Sequence, residues 1–380
     1  MEAVAPALPL PEATHRFEID PGQDIVGVVQ LIQSTQEDTF SDIARRFNVG
    51  YEEIVRANPG VDPWLPGERL IIVPTQFILP DAPREGLVIN IPEMRLFYYP
   101  KPEGGKLQPG QKQVVYTYPI GIGKVGWATP VGVTKVARRA KDPTWRPPVS
   151  VIKEHRENGE ELPSVVGPGP DNPLGNRAMY LGWPSYLIHG TNKPYGVGLR
   201  SSHGCLRLYP EDIEALYEIV PVGTSVRVVN QPFLFGWGPD GQLHLQAFDV
   251  LEDDPRDWKN AQKKLLTKSL ASSIQKELKK RGEEVDWDVV STFAHEPRGI
   301  PVPISVPNIT IDQVLSAAIT VQNRLPEGAN WDGRSGLPDE QAVKDQLAAE
   351  EREPIPPAPE PAPQAMKSSS NAKAPVRKGT

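Results

Sequence analysis

Cysteine is all but missing from this chain: 380 residues contain one, Cys205. A lone thiol excludes an internal disulfide and any multi-cysteine zinc site. It leaves two options, a small buried apolar side chain or a nucleophile. Histidine is also scarce, at six residues, and no His/Asp/Glu set clusters at ligand spacing, so neither metal catalysis nor a cofactor is expected. No run approaches the roughly 18 apolar residues of a membrane span. The first twenty residues, MEAVAPALPLPEATHRFEID, lack the basic stretch and apolar core of a secretory leader. Taken literally that start suggests the cytosol; it suits equally a chain numbered from near a mature N-terminus.

Proline is abundant, at 43 residues, and favours turns, strand ends and linkers over a helical bundle. The length suits two or three domains. The formal charge of −7 gives no reason to expect a nucleic-acid partner. The charge is unevenly spread, however: residues 86–230 hold 17 Lys+Arg against 12 Asp+Glu. A basic middle suits a carboxylate-bearing substrate.

Residues 36–75 read as a small unit. Thr39 or Ser41 can cap a helix carrying Ile43, Ala44 and Phe47 on one face, NVG ends it, YEEIVRAN forms a second helix, and ERLIIVP a strand. The stretches DTFSDIARRFNV and IVRANPGVDPWLPGERLIIVP, with the strand-like DIVGVVQLI before them, resemble a βααβ LysM module. That family implies binding to the N-acetylglucosamine backbone of peptidoglycan or chitin; a packing or spacer role is the alternative. The preceding residues, 1–35, read as an N-terminal extension.

From Leu87 the texture becomes short strands punctuated by glycine and proline: LVINIPEMRLFYYP, QVVYTYPIGIGK and TSVRVV alternate apolar and polar residues. PEDIEALYEIV is the one clear helix, with Ile213, Leu216, Tyr217 and Val220 on one face. Residues 86–230 are therefore a mainly β domain. Beyond it, 231–306 combine a hairpin turning at PDG with a basic amphipathic helix, AQKKLLTKSLASSIQKELKKRG, as a small α+β appendage. Residues 307–350 read as a partly helical extension, and 351–380, rich in proline and alanine, as a disordered tail.

The chemistry centres on SSHGCLRL. A thiol attacks as thiolate, so its pKa of about 8.5 must be lowered by a cation or met by a base, usually histidine. His203 sits at i−2 on an extended chain, where side chains share a side but diverge. His189 ends a strand-like YLI, and a returning loop can bring it beside Cys205. His189 is therefore the expected base, and His203 shapes the pocket. Gly204, lacking a Cβ, lets the amides of Gly204 and Cys205 approach an acyl oxyanion. Arg207, if Leu206 packs inward, shares a face with Cys205 and could hold a substrate carboxylate. Its alternative is an ordinary ion pair.

IHGTNKPYGVGLRSSHGCLRL resembles the active-site signature of the L,D-transpeptidase (YkuD-domain) family: His-Gly-Thr, a gap, then Ser-x-Gly-Cys and Arg. LVINIPEMRLFYYP, YPIGIGKVGWATPVG, DPTWRPP and GPDNPLGNRAMYLG match in the family's order. The resemblance implies a β-sandwich-like catalytic domain in the bacterial envelope, with Cys205 as nucleophile. His189 would be the base, oriented by a backbone carbonyl near Gly190 rather than by an acid. Thr191, Ser202, His203 and Arg207 would line the substrate site.

The substrate implied is a peptidoglycan tetrapeptide stem. The order of module, catalytic domain and appendage resembles the Gram-negative periplasmic subgroup that attaches an outer-membrane lipoprotein to peptidoglycan; 3→3 cross-linking and L,D-carboxypeptidation are the alternatives. A low-pKa thiolate in an oxidising compartment would also need a thiol reductant. A sortase would space His and Cys farther apart, and a Cys/His endopeptidase usually places histidine after cysteine, whereas here none follows until His244. The non-enzymatic alternative is a peptidoglycan-binding structural protein.

Overall fold

The computed structural model describes residues 8–256 and 268–334. The expected tail 351–380, residues 335–350 of the 307–350 extension and residues 261–267 of the basic helix lie outside the described residues. Among those described, the architecture is mainly β, as expected. One sheet holds nine strands in the order Arg16–Ile19, Gln113–Pro119, Arg95–Tyr99, Gly86–Asn90, Ser225–Val229, Gly132–Lys141, Arg177–Leu181, Leu187–His189 and Leu206–Arg207. Gly86–Asn90 with Ser225–Val229, and Leu187–His189 with Leu206–Arg207, are parallel pairs; the other neighbours are antiparallel. Alternation along these strands sends Leu87, Ile89, Leu96, Met179, Ile188, Leu206 and Val226 into one core, closed by Ile213, Leu216 and Tyr217 of the helix Pro210–Ile219.

The small module forms as its sequence dictates. Thr39, not Ser41, caps the helix Phe40–Arg46, in a capping box with Asp42. Phe40, Ile43, Ala44 and Phe47 then pack on Ile54 of the second helix, Tyr51–Ala57, and on the strands Gln30–Gln33 and Leu70–Val73.

Two segments depart from expectation. The N-terminal residues are not a free extension: Arg16–Ile19 pairs with Gln113–Pro119 as an edge strand of the nine-stranded sheet. Ile319–Thr320, expected only in a partly helical extension, instead pairs parallel with Gln30–Gln33, and Val321 is fully buried in the module's core. Both join chain ends to distant elements.

The module is fastened to the nine-stranded sheet and its helix by buried charge. Arg95, wholly buried in the sheet, donates to Glu53 at 2.8 and 2.9 Å and to the Asn48 carbonyl at 3.0 Å. Arg45 grips Glu211 with two bonds of 2.8 and 2.9 Å. The appendage folds as a hairpin, Phe233–Trp237 and Leu243–Ala247, extended by Val302–Pro303. Ile274 and Leu278 of the helix Lys268–Arg281 and Val290 of Trp287–His295 cover its apolar face. Among the described residues no helix is long and apolar enough to cross a membrane.

Candidate active site

The sheet sets the strand that ends at His189 beside the strand that follows Cys205. Leu187–His189 and Leu206–Arg207 run parallel, with Ile188 opposite Leu206 and His189 opposite Arg207. Ile188 and Leu206 point into the core, so alternation puts His189, Arg207 and Cys205 on the opposite face. A parallel pair needs a long crossover, and the loop between His189 and Cys205 provides it.

His189 is buried, and its Nδ1 lies 2.6 Å from the Gly190 carbonyl oxygen. A carbonyl only accepts, so in the neutral ring Nδ1 carries the proton and Nε2 keeps its lone pair. Burial, and secondarily the Arg207 charge, push the imidazole pKa down to about 3, against a smaller opposing effect of the Gly190 carbonyl. The Gly190 N–H is already given to the Arg177 carbonyl. Gly190 thus contributes a carbonyl that orients the base, and not an oxyanion donor.

The Cys205 thiol differs from expectation. Burial raises its pKa to about 11, although the Leu187 N–H and the Arg207 charge both favour the thiolate. Desolvation outweighs the cation. At neutral pH Cys205 is a thiol and His189 a neutral imidazole, so the site holds no low-pKa thiolate. The sulfur is 3.5 Å from the Ser185 carbonyl oxygen.

Gly204 has φ +99°, and a Cβ there would lie 2.9 Å from the Tyr186 ring, so only glycine fits. Its N–H makes a long bond of 3.2 Å to Ser202 Oγ, while that hydroxyl donates to the Cys205 carbonyl at 2.6 Å. Ser202 therefore braces the turn that carries Cys205. Thr191 is likewise buried, its Oγ1 accepting from Lys193 N at 2.9 Å; it shapes a turn. His203 turns aside to Glu154, Nε2 to Oε2 at 2.7 Å, and meets Trp127 edge-on. Lys124 also binds Glu154. These contacts turn the His203 ring toward Glu154 and Trp127.

Arg207 is the informative cation. Its Nη1 donates to Ser201 Oγ at 3.2 Å, its buried Nε has no partner, and the charges acting on it come from Tyr195 and Cys205. Among the described residues no carboxylate neutralises it, so the ordinary ion-pair reading fails. Sequence reasoning missed Tyr186, Trp127 and Thr129, which reach the site from turns and loops, and Glu154, which reaches it from the helix Val149–Glu157; only the glycines of IGIG hinted at the close packing there.

Comparison with known proteins agrees with this geometry. A model of the L,D-transpeptidase catalytic domain (YkuD) matches residues 84–228, and a LysM domain model matches residues 35–72. The chain is 37% identical over 313 residues to the probable L,D-transpeptidase YcfS of Escherichia coli strain K12, covering 80% of this chain and 92% of that protein. The chain belongs to the L,D-transpeptidase family. Probable L,D-transpeptidases YbiS of the same organism (39% over 288 residues; 75% and 90% covered) and ErfK/SrfK of Salmonella typhimurium (38% over 290 residues; 75% and 89%) are also similar to this L,D-transpeptidase.

Proposed function

We propose that this L,D-transpeptidase acts through Cys205 on the meso-diaminopimelate–D-Ala bond of a peptidoglycan tetrapeptide stem. One observation supports it above all: a thiol and a buried neutral imidazole share a face with an arginine that has no acidic partner among the described residues. Leaving the buried Arg207 Nε without a partner is costly, and a stem carboxylate would supply one.

In this reading the Cys205 S–H proton passes to His189 Nε2 as sulfur bonds to the acyl carbon. The Cys205 N–H, which makes no hydrogen bond to the chain among the described residues, holds the oxyanion. His189 then returns the proton to the leaving amine, the C–N bond breaks, D-Ala departs, and a thioester remains. An acceptor amine attacks it, giving its proton to His189, and sulfur leaves as the thiol is restored.

The acceptor we propose is the side-chain amine of a C-terminal lysine on an outer-membrane lipoprotein, which places the enzyme in the periplasm. The order of LysM module, catalytic domain and appendage supports this choice. The LysM module would hold the glycan while the stem enters the site. A thiol reductant would be needed only for slow oxidation, since the resting thiol is protonated.

Mass spectrometry after mixing the protein with disaccharide-tetrapeptide and a lysine-terminated peptide tests the acceptor. A stem-to-lysine conjugate with D-Ala release supports the reading. Stem dimers or free tripeptide alone would replace it with cross-linking or carboxypeptidation.

A further inference from the structure

We infer that Thr129 is a positioning residue for the reaction: its hydroxyl fixes the plane of the Gly204–Cys205 peptide and thereby aims the Cys205 N–H at the oxyanion. The inference rests on the nucleophile reading of Cys205 given above.

Thr129 lies in the turn following the short strand Ile122–Gly123, which pairs parallel with Arg200–Ser202. It is 6% exposed. Its Oγ1 donates to the Gly204 carbonyl at 3.0 Å and accepts from the Gly123 N–H at 3.3 Å. Both the single hydroxyl proton and a lone pair are thus used, which gives the side chain one orientation. The turn is pressed onto the strand: a Cβ on Gly123 would stand 1.9 Å from the Trp127 carbonyl oxygen and 3.0 Å from the Gly204 Cα. Thr129 therefore bridges two backbones that cannot shift independently.

The consequence follows from peptide geometry. The Gly204 carbonyl and the Cys205 N–H belong to one rigid plane and point in opposite directions across a trans bond. Holding the carbonyl from behind sets where the N–H points in front. Gly204 needs such a hold, since at φ +99° its backbone rotates freely on sterics alone. The neighbouring bonds from Ser202 fix the Gly204 N–H and the Cys205 carbonyl, and among the described residues the Cys205 N–H makes no hydrogen bond to the chain. The Thr129 hydroxyl does not itself touch substrate. It acts through that amide.

The test compares Thr129→Val, which keeps shape but loses the hydroxyl, with Thr129→Ser, which keeps it. Two rates are read: turnover of tetrapeptide stem, which forms an oxyanion, and alkylation of Cys205 by iodoacetamide, which forms none. Thr129→Val should lower kcat by about 10²-fold, the scale of a misplaced donor. KM and the alkylation rate should stay within about twofold, and Thr129→Ser should recover most of kcat. If Thr129→Val does not fold, Thr129→Ala removes the hydroxyl without setting a methyl against the Gly204 oxygen and carries the same expectation. Unchanged kcat, or kcat and alkylation falling together without rescue by serine, overturns the inference. Cys205→Ala separates the two claims: turnover surviving in it removes the nucleophile reading, whereas a dead Cys205→Ala beside a normal Thr129→Val removes only the role of Thr129.

Discussion

Gly50 of the LysM module and Gly198 of the loop joining His189 to Cys205 meet backbone to backbone: a Cβ on Gly50 would lie 2.8 Å from the Gly198 Cα. The first free amides of the module's second helix, Tyr51 and Glu52, donate to the Val197 and Gly198 carbonyls, each at 3.2 Å. The active-site loop thus satisfies orphan donors at a helix N-terminus. The LysM module is consequently part of the support of the catalytic loop.

Gly198→Ala should uncouple the two. Gly198 has φ +81°, and a Cβ would meet Tyr51 N at 2.3 Å; Gly60, at φ +78°, has nothing within 4 Å. Gly60→Ala should cost about 1–2 kcal/mol of backbone strain alone. Gly198→Ala should cost on the order of 3–5 kcal/mol and also lower turnover. Denaturant melts and stem turnover of both variants check this; equal effects would contradict it.

Breaking the buried Glu53–Arg95 pair should be severe. Glu53→Ala strands a wholly buried guanidinium and should cost about 3–5 kcal/mol. Chemical denaturation measures it. A loss below about 1 kcal/mol would mean that the module docks by other contacts.

Arg207→Met should separate stability from activity. Removing a partly buried cation that has no acidic partner among the described residues should leave the melting temperature unchanged or raised. Turnover of a carboxylate-bearing stem should fall at least about tenfold. Calorimetry and kinetics on one preparation suffice; a strong drop in melting temperature with intact KM would assign Arg207 to structure.

The pH behaviour follows from desolvation. Burial disfavours both charged forms, which raises the Cys205 thiol to about 11 and lowers His189 to about 3. Iodoacetamide alkylation should climb steadily with pH from 7 to 10 without levelling, and stem turnover should show no loss near pH 6.5 from His189 protonation. Thiolate absorbance against pH measures the first directly. A plateau below about pH 8 would restore a preformed ion pair.

Much of this was legible in the chain because it is local. Thr39 with Asp42 forms a capping box within four residues, the strands 86–90 and 95–99 carry their own alternation, and Cys205 declares itself by being alone. What was hidden is long-range pairing. Arg16–Ile19 finds its partner about a hundred residues away at Gln113–Pro119, and Ile319–Thr320 reaches back to Gln30. Strands of two to four residues are too short for a period to show, and nothing in RFEI or IT names its partner. The thiol's pKa was misjudged for a related reason: a neighbouring Arg207 can be read from the motif, but the burial that outweighs it is a property of the folded site.

The central claim is a thioester on Cys205, and intact-protein mass spectrometry after brief mixing with a tetrapeptide stem tests it most directly. The expected result is an adduct of the stem less D-Ala, mapped by digestion to the Cys205 peptide and absent from Cys205→Ala. D-Ala release that persists in Cys205→Ala, or an adduct on another residue, would contradict the account.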